Sequence, residues 1–353
     1  MTRRDDLPWL DASGPLSSIV VSTRVRLARN LAGRPFRGRG GPLDRESVAR
    51  LVEAAIADAP GLAGGVWQRL DTMPRTARRW WFERQLVSKE LAALEPGARP
   101  VSGAAVLVAD RVAVMVNEED HLRIQALGAG SALAETYAGA EQVDRELGQR
   151  ISFAFHSEFG YLTSCPTNVG TGLRASVLIH LPALVLTREI GKVLQGLAQV
   201  GLTHRGLFGE GSEVQGNLFQ LSNQTTLGRT EGELLDHLGR MVREVIDYEG
   251  RARDLLMRDA PLLVEDRVWR AWGLLRHART LSFEELVTLL GGVRLGVGMG
   301  LLPAVPMAML NRLLVTGQDA HVAQAAGTEL DDDALPAHRA TLVRRRFEEE
   351  APE

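Results

Sequence analysis

The apolar pattern of this chain changes character near residue 255, from mixed helical and strand segments to helical ones. Before that point helical segments alternate with short β-branched runs and Gly-rich loops, and beyond Thr230 almost every segment has helical period. Asp44 to Ala59 has helical spacing with Asp44 placed as its N-cap, and Pro74 to Leu94 opens with proline at a permitted first-turn position. Ala104 to Val108 and Val112 to Val116, split by Ala109-Asp110-Arg111, read as a hairpin that delivers Asn117 to Arg123 at its end. Ser131 to Arg150 and Leu181 to Val200 read as helices, and Ile151 to Phe155, Ala175 to His180 and Gly216 to Ser222 as strands. The segments Glu231 to Met257, Pro261 to Ala278, Ser282 to Leu290 and Pro306 to Val315 predict a small helical bundle. At 353 residues the chain is long for one hydrophobic core, so one large and one smaller domain are expected.

Four polar stretches carry five arginines with carboxylates among them. They are Ser22-Thr23-Arg24-Val25-Arg26, Asn117-Glu118-Glu119-Asp120-His121-Leu122-Arg123, Arg174-Ala175-Ser176-Val177-Leu178 and Arg205-Gly206-Leu207-Phe208-Gly209-Glu210. A guanidinium fork matches phosphate oxygens bidentately and keeps its charge at any working pH. Taken alone, each arginine reads as a solvated stem. Together they suit a triphosphate, because Arg174 opens an otherwise apolar strand and Arg123 follows three consecutive acids. A carboxylate pair, Glu119 and Glu210, inside a phosphate-binding set suggests a cationic acceptor that must be oriented and deprotonated.

Several classes are excluded or disfavoured. No G-x-x-x-x-G-K-[ST], H-R-D or D-F-G occurs, so ATP is not held in the P-loop or Ser/Thr-kinase manner. Gly296-Val297-Gly298-Met299-Gly300 lacks the strand and downstream acid of a dinucleotide loop and reads as a flexible turn, within a buried turn and helix start from Leu295 to Leu310. With 41 basic and 44 acidic residues the net charge is −3, unlike a nucleic-acid binder. The eight histidines show no H-E-x-x-H spacing, and no dedicated metal site is expected. One cysteine, Cys165, fits a reducing compartment, and neither a signal peptide nor a membrane span is read, so a cytoplasmic location is expected. The acidic run 329–333, Arg344-Arg345-Arg346 and Glu348-Glu349-Glu350 read as solvated tail.

Ser-Thr-Arg-Val-Arg, Asn-Glu-Glu-Asp-His-Leu-Arg-Ile, Cys165-Pro-Thr-Asn-Val-Gly-Thr-Gly and Arg-Gly-x-x-Gly-Glu, in this order, resemble the motif set of the ATP:guanido phosphotransferases, the family of arginine and creatine kinases. The resemblance extends from about Ser18 to Asp254. The first motif begins at Ser22, with no long helical domain ahead of it. That start, together with the run from Asn217 to Gly228 and a helical C-terminal part, resembles the bacterial protein-arginine-kinase branch. The resemblance implies an α+β fold: an N-terminal segment 1–17, a phosphagen-kinase-like catalytic domain 18–254 with an antiparallel sheet flanked by helices, and a small all-helical domain 255–353 for dimerisation and substrate selection.

The implied roles are specific. Arg24, Arg26, Arg123, Arg174 and Arg205 clamp the ATP phosphates within the quoted arginine stretches, while Glu119 and Glu210 hold the acceptor guanidinium and assist loss of its proton. That assistance matters because a free guanidinium has a pKa above about 12 and no lone pair for attack. Cys165 lies beside the acceptor, as a thiolate stabilised by nearby positive charge. ATP brings Mg²⁺ with it. The implied partners are proteins with exposed arginines, a heat-shock repressor, an activating adaptor, an AAA+ unfoldase-protease and a second copy of the chain. The alternatives are a kinase for free arginine or another small guanidine, and a catalytically weak regulatory protein.

This sequence departs from the family pattern in two places. The nucleotide-contacting histidine has no counterpart in Leu86-Val-Ser-Lys-Glu90-Leu91. Of a phosphoarginine-binding R-D-x-x-R-A motif, Leu335-Pro-Ala-His-Arg339-Ala340 retains only Arg339 and Ala340 as a remnant, so weak or absent activation by phosphoarginine is expected.

Overall fold

The structure, a computed structural model, describes residues 7–207, 214–328, 330–331 and 333–350. Ten strands are present among them: β1 Val20–Arg29, β2 Val66–Arg69, β3 Ala105–Ala109, β4 Val112–Val116, β5 Leu122–Ala129, β6 Phe155–His156, β7 Gly160–Tyr161, β8 Leu173–His180, β9 Leu202–Arg205 and β10 Leu218–Asn223. Eight of them form one antiparallel sheet in the order β2-β3-β4-β5-β1-β8-β10-β9. The helices are α1 Pro42–Ala57, α2 Arg75–Glu83, α3 Leu133–Gly148, α4 Pro182–Leu186, α5 Ile190–Gln199, α6 Glu231–Asp259, α7 Pro261–His277, α8 Phe283–Gly298, α9 Met307–Thr316, α10 Asp319–Ala326 and α11 Leu335–Glu350. This is the α+β, phosphagen-kinase-like architecture expected, with a helical C-terminal region.

Alternation along the central strands assigns the two faces of the sheet. Val25 and Leu27 on β1, Ile124 and Ala126 on β5, Ala175, Val177 and Ile179 on β8 and Leu221 on β10 are buried in one apolar cluster. Helices α3 and α6 pack on that side, and the cluster runs on without interruption through α7, α8, α9 and α11. On the opposite face, Ala113, Met115 and Leu127 lie in a second cluster under Leu86, Val87, Leu91 and Ala92. The part of that face formed by β1, β8, β9 and β10 is left polar, and it becomes the site.

Several elements differ from the sequence reading. Asp44 is the third residue of α1 rather than its cap; the cap is Gly41, whose N–H donates to the Asp44 carboxylate at 2.8 Å. Helix α2 stops at Glu83, because Gln85 takes a left-handed conformation (φ 60°) and turns the chain back over the sheet. Arg188 (φ 62°) likewise divides Leu181 to Val200 into α4 and α5. Ile151 to Phe155 is mostly irregular, with only Phe155 entering the short β6–β7 pairing. Gly296 sits inside α8, not in a turn: a Cβ there would meet Val268 Cγ1 at 2.3 Å, so its glycine permits close packing of α8 on α7. Among the described residues, no helix is long and apolar enough to cross a membrane.

Candidate active site

Residues directly opposite in an antiparallel ladder share a face, and the register brings all five arginines to one. Arg26 stands opposite Gln125 on β5 and Arg174 on β8, Arg24 opposite Leu127 and Ser176, Arg123 opposite Ala28, and Arg205 opposite Gln220. Gln220 in turn lies opposite Leu178, next to the Ser176 row. The five side chains line a cavity of about 750 Å³, a volume within the range of small-molecule sites. Ser22, Ser176 and Leu178 border a recess beside Arg24, and Leu207 lines both spaces. Thr23, Val25, Ala175 and Val177 point the other way, into the protein interior. Gly206 is buried at the end of β9. Phe208, Gly209 and Glu210 lie outside the described residues.

The arginines of this face act on one another electrostatically. Burial lowers the Arg24 guanidinium to about 10, and Arg123, Arg174 and Arg205 push the same way. Arg26 is driven well below its ordinary value by burial and by Arg24, Arg123 and Arg174, with Glu118 opposing. The Nε atoms of both Arg24 and Arg26 are buried without a hydrogen-bond partner. Mutual repulsion and unused donors on one side of a cavity are what a polyanionic ligand relieves, so the residues present fit ATP.

The three acids after β4 have separate tasks. Glu118 is 2% exposed and accepts from Arg123 Nη1 at 2.7 Å. Glu119, with a side chain 44% exposed, accepts from Arg123 Nη2 at 3.1 Å and from Asn168 Nδ2 at 3.5 Å, and faces the cavity. Burial raises its pKa, Arg123 pulls it down, and Glu118 and Asp120 push it up. Asp120 is fully buried and accepts from Asn30 Nδ2 at 2.7 Å and from Ser164 N at 2.6 Å. It therefore pins the loop that carries Cys165, whose Sγ lies 3.0 Å from Thr167 Oγ1 in the cavity wall.

His121 completes this scaffold: Leu31 N donates to its Nδ1 at 3.0 Å, which leaves Nε2 to donate to Pro35 O at 3.0 Å and holds the ring neutral. Burial is the leading cause of its lowered pKa. The segment thus anchored, 31–37, presents Arg37 to the cavity. Gly172, between the cysteine loop and Arg174, has φ 65°, and a Cβ there would meet Ala28 O at 2.6 Å.

Arg37, Gln85, Asn168 and Gln220 also line the cavity and were missed by the sequence reading. Asn168 lies inside the Cys165 motif and Gln220 inside the run Asn217 to Gly228, whereas Arg37 carries no local signal. Val87, Ser88, Lys89 and Glu90, the segment that lacks the family histidine, form the wall opposite the arginine face. Arg339 and Ala340 lie elsewhere. Arg339 is buried and donates from Nε to Gly317 O, from Nη1 to Leu281 O and from Nη2 to Asp319 Oδ1, and Ala340 is fully buried. Those bonds tie α11 to the start of α10 and occupy all three guanidinium nitrogens.

Residues 47–252 match the profile of the ATP:guanido phosphotransferase C-terminal catalytic domain. The chain belongs to this family. It is accordingly an ATP-dependent phosphotransferase. Residues 261–353 match the Protein-arginine kinase McsB C-terminal domain. The phosphotransferase is 44% identical over 354 residues to the protein-arginine kinase of Symbiobacterium thermophilum, covering 98% of each chain. It is 45% identical to that of Moorella thermoacetica, over 95% of this chain and 96% of the relative. Among solved structures it resembles the duplicated taurocyamine kinase of Schistosoma mansoni bound to transition-state analogue components. That match has a TM-score of 0.60 and 27% identity, over 70% of this chain and 35% of the other.

Proposed function

We propose that this phosphotransferase moves the γ-phosphoryl group of ATP to guanidinium nitrogens of arginine side chains in proteins. The observation that carries the reading is the placement of Glu119, a half-exposed carboxylate at the edge of a face bearing five arginines, within the same cavity as Cys165. The acceptor nitrogen bonds to the γ-phosphorus as the bond from that phosphorus to the bridging oxygen breaks, ADP leaves, and the acceptor proton passes to a carboxylate. A carboxyl whose pKa is raised accepts that proton better than an ordinary glutamate. The arginines hold the phosphates in line and offset the charge on the departing oxygen.

Mg²⁺ would arrive on the nucleotide and supply further charge neutralisation. Glu210 would join Glu119 at the acceptor, by the sequence resemblance. A protein rather than a free amino acid as acceptor is supported by the match of residues 261–353 to a domain named for protein-arginine kinases, and by relatives of that name along nearly the whole chain. By the same resemblance, marked proteins would pass to an AAA+ unfoldase-protease in the cytoplasm, a heat-shock repressor would be among the targets, an adaptor would activate the enzyme, and the chain would act as a homodimer.

The test is mass spectrometry of an arginine-rich protein such as casein after incubation with the enzyme and MgATP at mildly alkaline pH, with free arginine in parallel. Acid-labile phosphate on arginine side chains supports the proposal. Transfer to free arginine alone makes the enzyme a small-guanidine kinase, and no transfer to either overturns the reading.

A further inference from the structure

The wall formed by Val87 to Glu90 belongs to a small body built on α2. Gln85 N donates to Phe82 O and Leu86 N to Trp81 O, while Arg75 and Arg78 reach from the helix to the main-chain oxygens of Leu94 and Ala92. Helix and wall are therefore fastened at both ends of the segment 85–94. Two polar anchors hold this body in place. On the sheet side, Gln125 Nε2 donates to Gln85 O at 2.7 Å. On the far side stands Glu83, the last residue of α2, 3% exposed.

The Glu83 carboxylate accepts from Ala320 N at 3.0 Å, His321 N at 3.2 Å and Arg79 Nε at 3.2 Å, and His321 Nδ1 lies 2.8 Å away. It thereby caps the first turn of α10 from another helix, and Gln318 Nε2 reinforces the joint by donating to Glu83 O at 3.1 Å. Asp319 extends the joint by accepting from Arg79 on α2 and Arg339 on α11. A buried carboxylate is stable only where its donors meet it, which fixes α2 against α10 to within hydrogen-bond tolerance.

We propose that Glu83 is a positioning residue for nucleotide binding: through it the helical C-terminal region sets where the wall Val87 to Glu90 stands over the arginine face. This rests on reading the cavity as the nucleotide site. A merely structural role would lower stability and leave the affinity of the folded enzyme unchanged. A positioning role shifts nucleotide affinity, while the rate at saturating ATP is largely kept.

The experiment measures the ATP dissociation constant by calorimetry, KM and kcat, and thermal midpoints for the full chain, Glu83→Ala and Glu83→Gln. Glu83→Ala is expected to weaken ATP binding and raise the ATP KM about tenfold, with kcat within about twofold of the parent. Glu83→Gln keeps an acceptor for the first turn of α10 and is expected to restore most of the affinity. A folded Glu83→Ala with parental ATP affinity overturns the proposal, as does a fall confined to kcat. If Glu83→Ala does not fold, Asp319→Asn weakens the same joint at a partly exposed site, and an affinity loss of about threefold is expected; unchanged affinity overturns the proposal. A parent enzyme that binds no ATP sinks the reading of the cavity instead.

Discussion

Arg26 and Arg174 stand directly opposite each other across the β1–β8 ladder, so two guanidinium stems leave the same face of the sheet side by side. Like charges opposed in this way destabilise a sheet by up to about 1 kcal/mol, and the lowered pKa of Arg26 reflects the same repulsion on top of its burial. The cost is released when phosphate arrives. Arg26→Gln is therefore expected to raise the thermal midpoint of the nucleotide-free enzyme by the equivalent of about 1 kcal/mol. It should also cut phosphoryl transfer by about 100-fold or more. Thermal unfolding with and without MgATP checks both halves: nucleotide should raise the parent's midpoint and barely move the variant's. A variant less stable than the parent without nucleotide contradicts the argument.

Glu119 should set the acid limb of the pH–rate profile. Burial places its pKa above the ordinary glutamate value and Arg123 restrains the rise. A base works deprotonated, so activity is lost as pH falls through that raised pKa, at higher pH than an ordinary glutamate would give. Removing Arg123's restraint with Arg123→Gln should move the limb further up. Glu119→Gln should lower kcat by about 10²- to 10⁴-fold while nucleotide affinity holds. A profile whose acid limb does not respond to Arg123→Gln assigns the base elsewhere.

What was legible in the sequence follows from how locally each signal is written. The hairpin β3–β4 and the helices α6, α7 and α9 carry their periods in consecutive residues and stand close to where the sequence placed them, whereas α8 runs on past Leu290 to Gly298 and α11 takes in the runs Arg344-Arg345-Arg346 and Glu348-Glu349-Glu350 expected as solvated tail. Strand β1, with Arg24 and Arg26 interrupting Val20, Val21, Val25 and Leu27, is central to the sheet and was read only as a motif. Its alternation pairs an apolar face with a charged one that only a ligand site can use. The breaks at Gln85 and Arg188 depend on left-handed backbone at residues with no preference for it, so tertiary packing and not local chemistry decides them. The triplet Glu118-Glu119-Asp120 was legible as chemistry, but its division into an ion-pair partner, a cavity-facing carboxylate and a loop anchor needs Arg123, Asn30 and Ser164 brought from three parts of the chain.

Asp120 should act on catalysis chiefly through the Cys165 loop, beside the small upward push its charge gives the Glu119 pKa. Its Oδ1 takes two donors, Asn30 Nδ2 and Ser164 N, and its Oδ2 is buried without a partner. Asp120→Ala strands both donors and is expected to cost about 3 kcal/mol. Asp120→Asn keeps Oδ1 for both and replaces the unpartnered oxygen with an amide, so it should stay within about 1 kcal/mol of the parent. Urea unfolding gives the stabilities. Transfer assays should show kcat falling in the alanine variant and recovering in the asparagine one, with the ATP dissociation constant unchanged in both; a fall in ATP affinity would count against a role exerted chiefly through the loop.

His180 should make the fold acid-sensitive. It ends β8 fully buried, both ring nitrogens lack a partner, and it faces Arg294 from α8 and Arg253 from α6, the latter paired with Glu249. Burial, then Arg294 and Arg253, holds its pKa well below the ordinary 6.5. In the unfolded chain the same ring takes a proton near 6.5, so below that pH the unfolded state binds more protons and native stability falls. The slope approaches about 1.4 kcal/mol per pH unit for a single such group. His180→Leu removes the titrating ring and two unpartnered polar atoms at similar volume. Its midpoint at pH 8 should equal or exceed the parent's, and its decline between pH 7 and pH 5 should be shallower. His121, also lowered by burial, remains in the variant and keeps part of the slope. Parallel pH curves for parent and variant would show that His180 binds its proton equally in the native and unfolded states, and would overturn the lowered pKa.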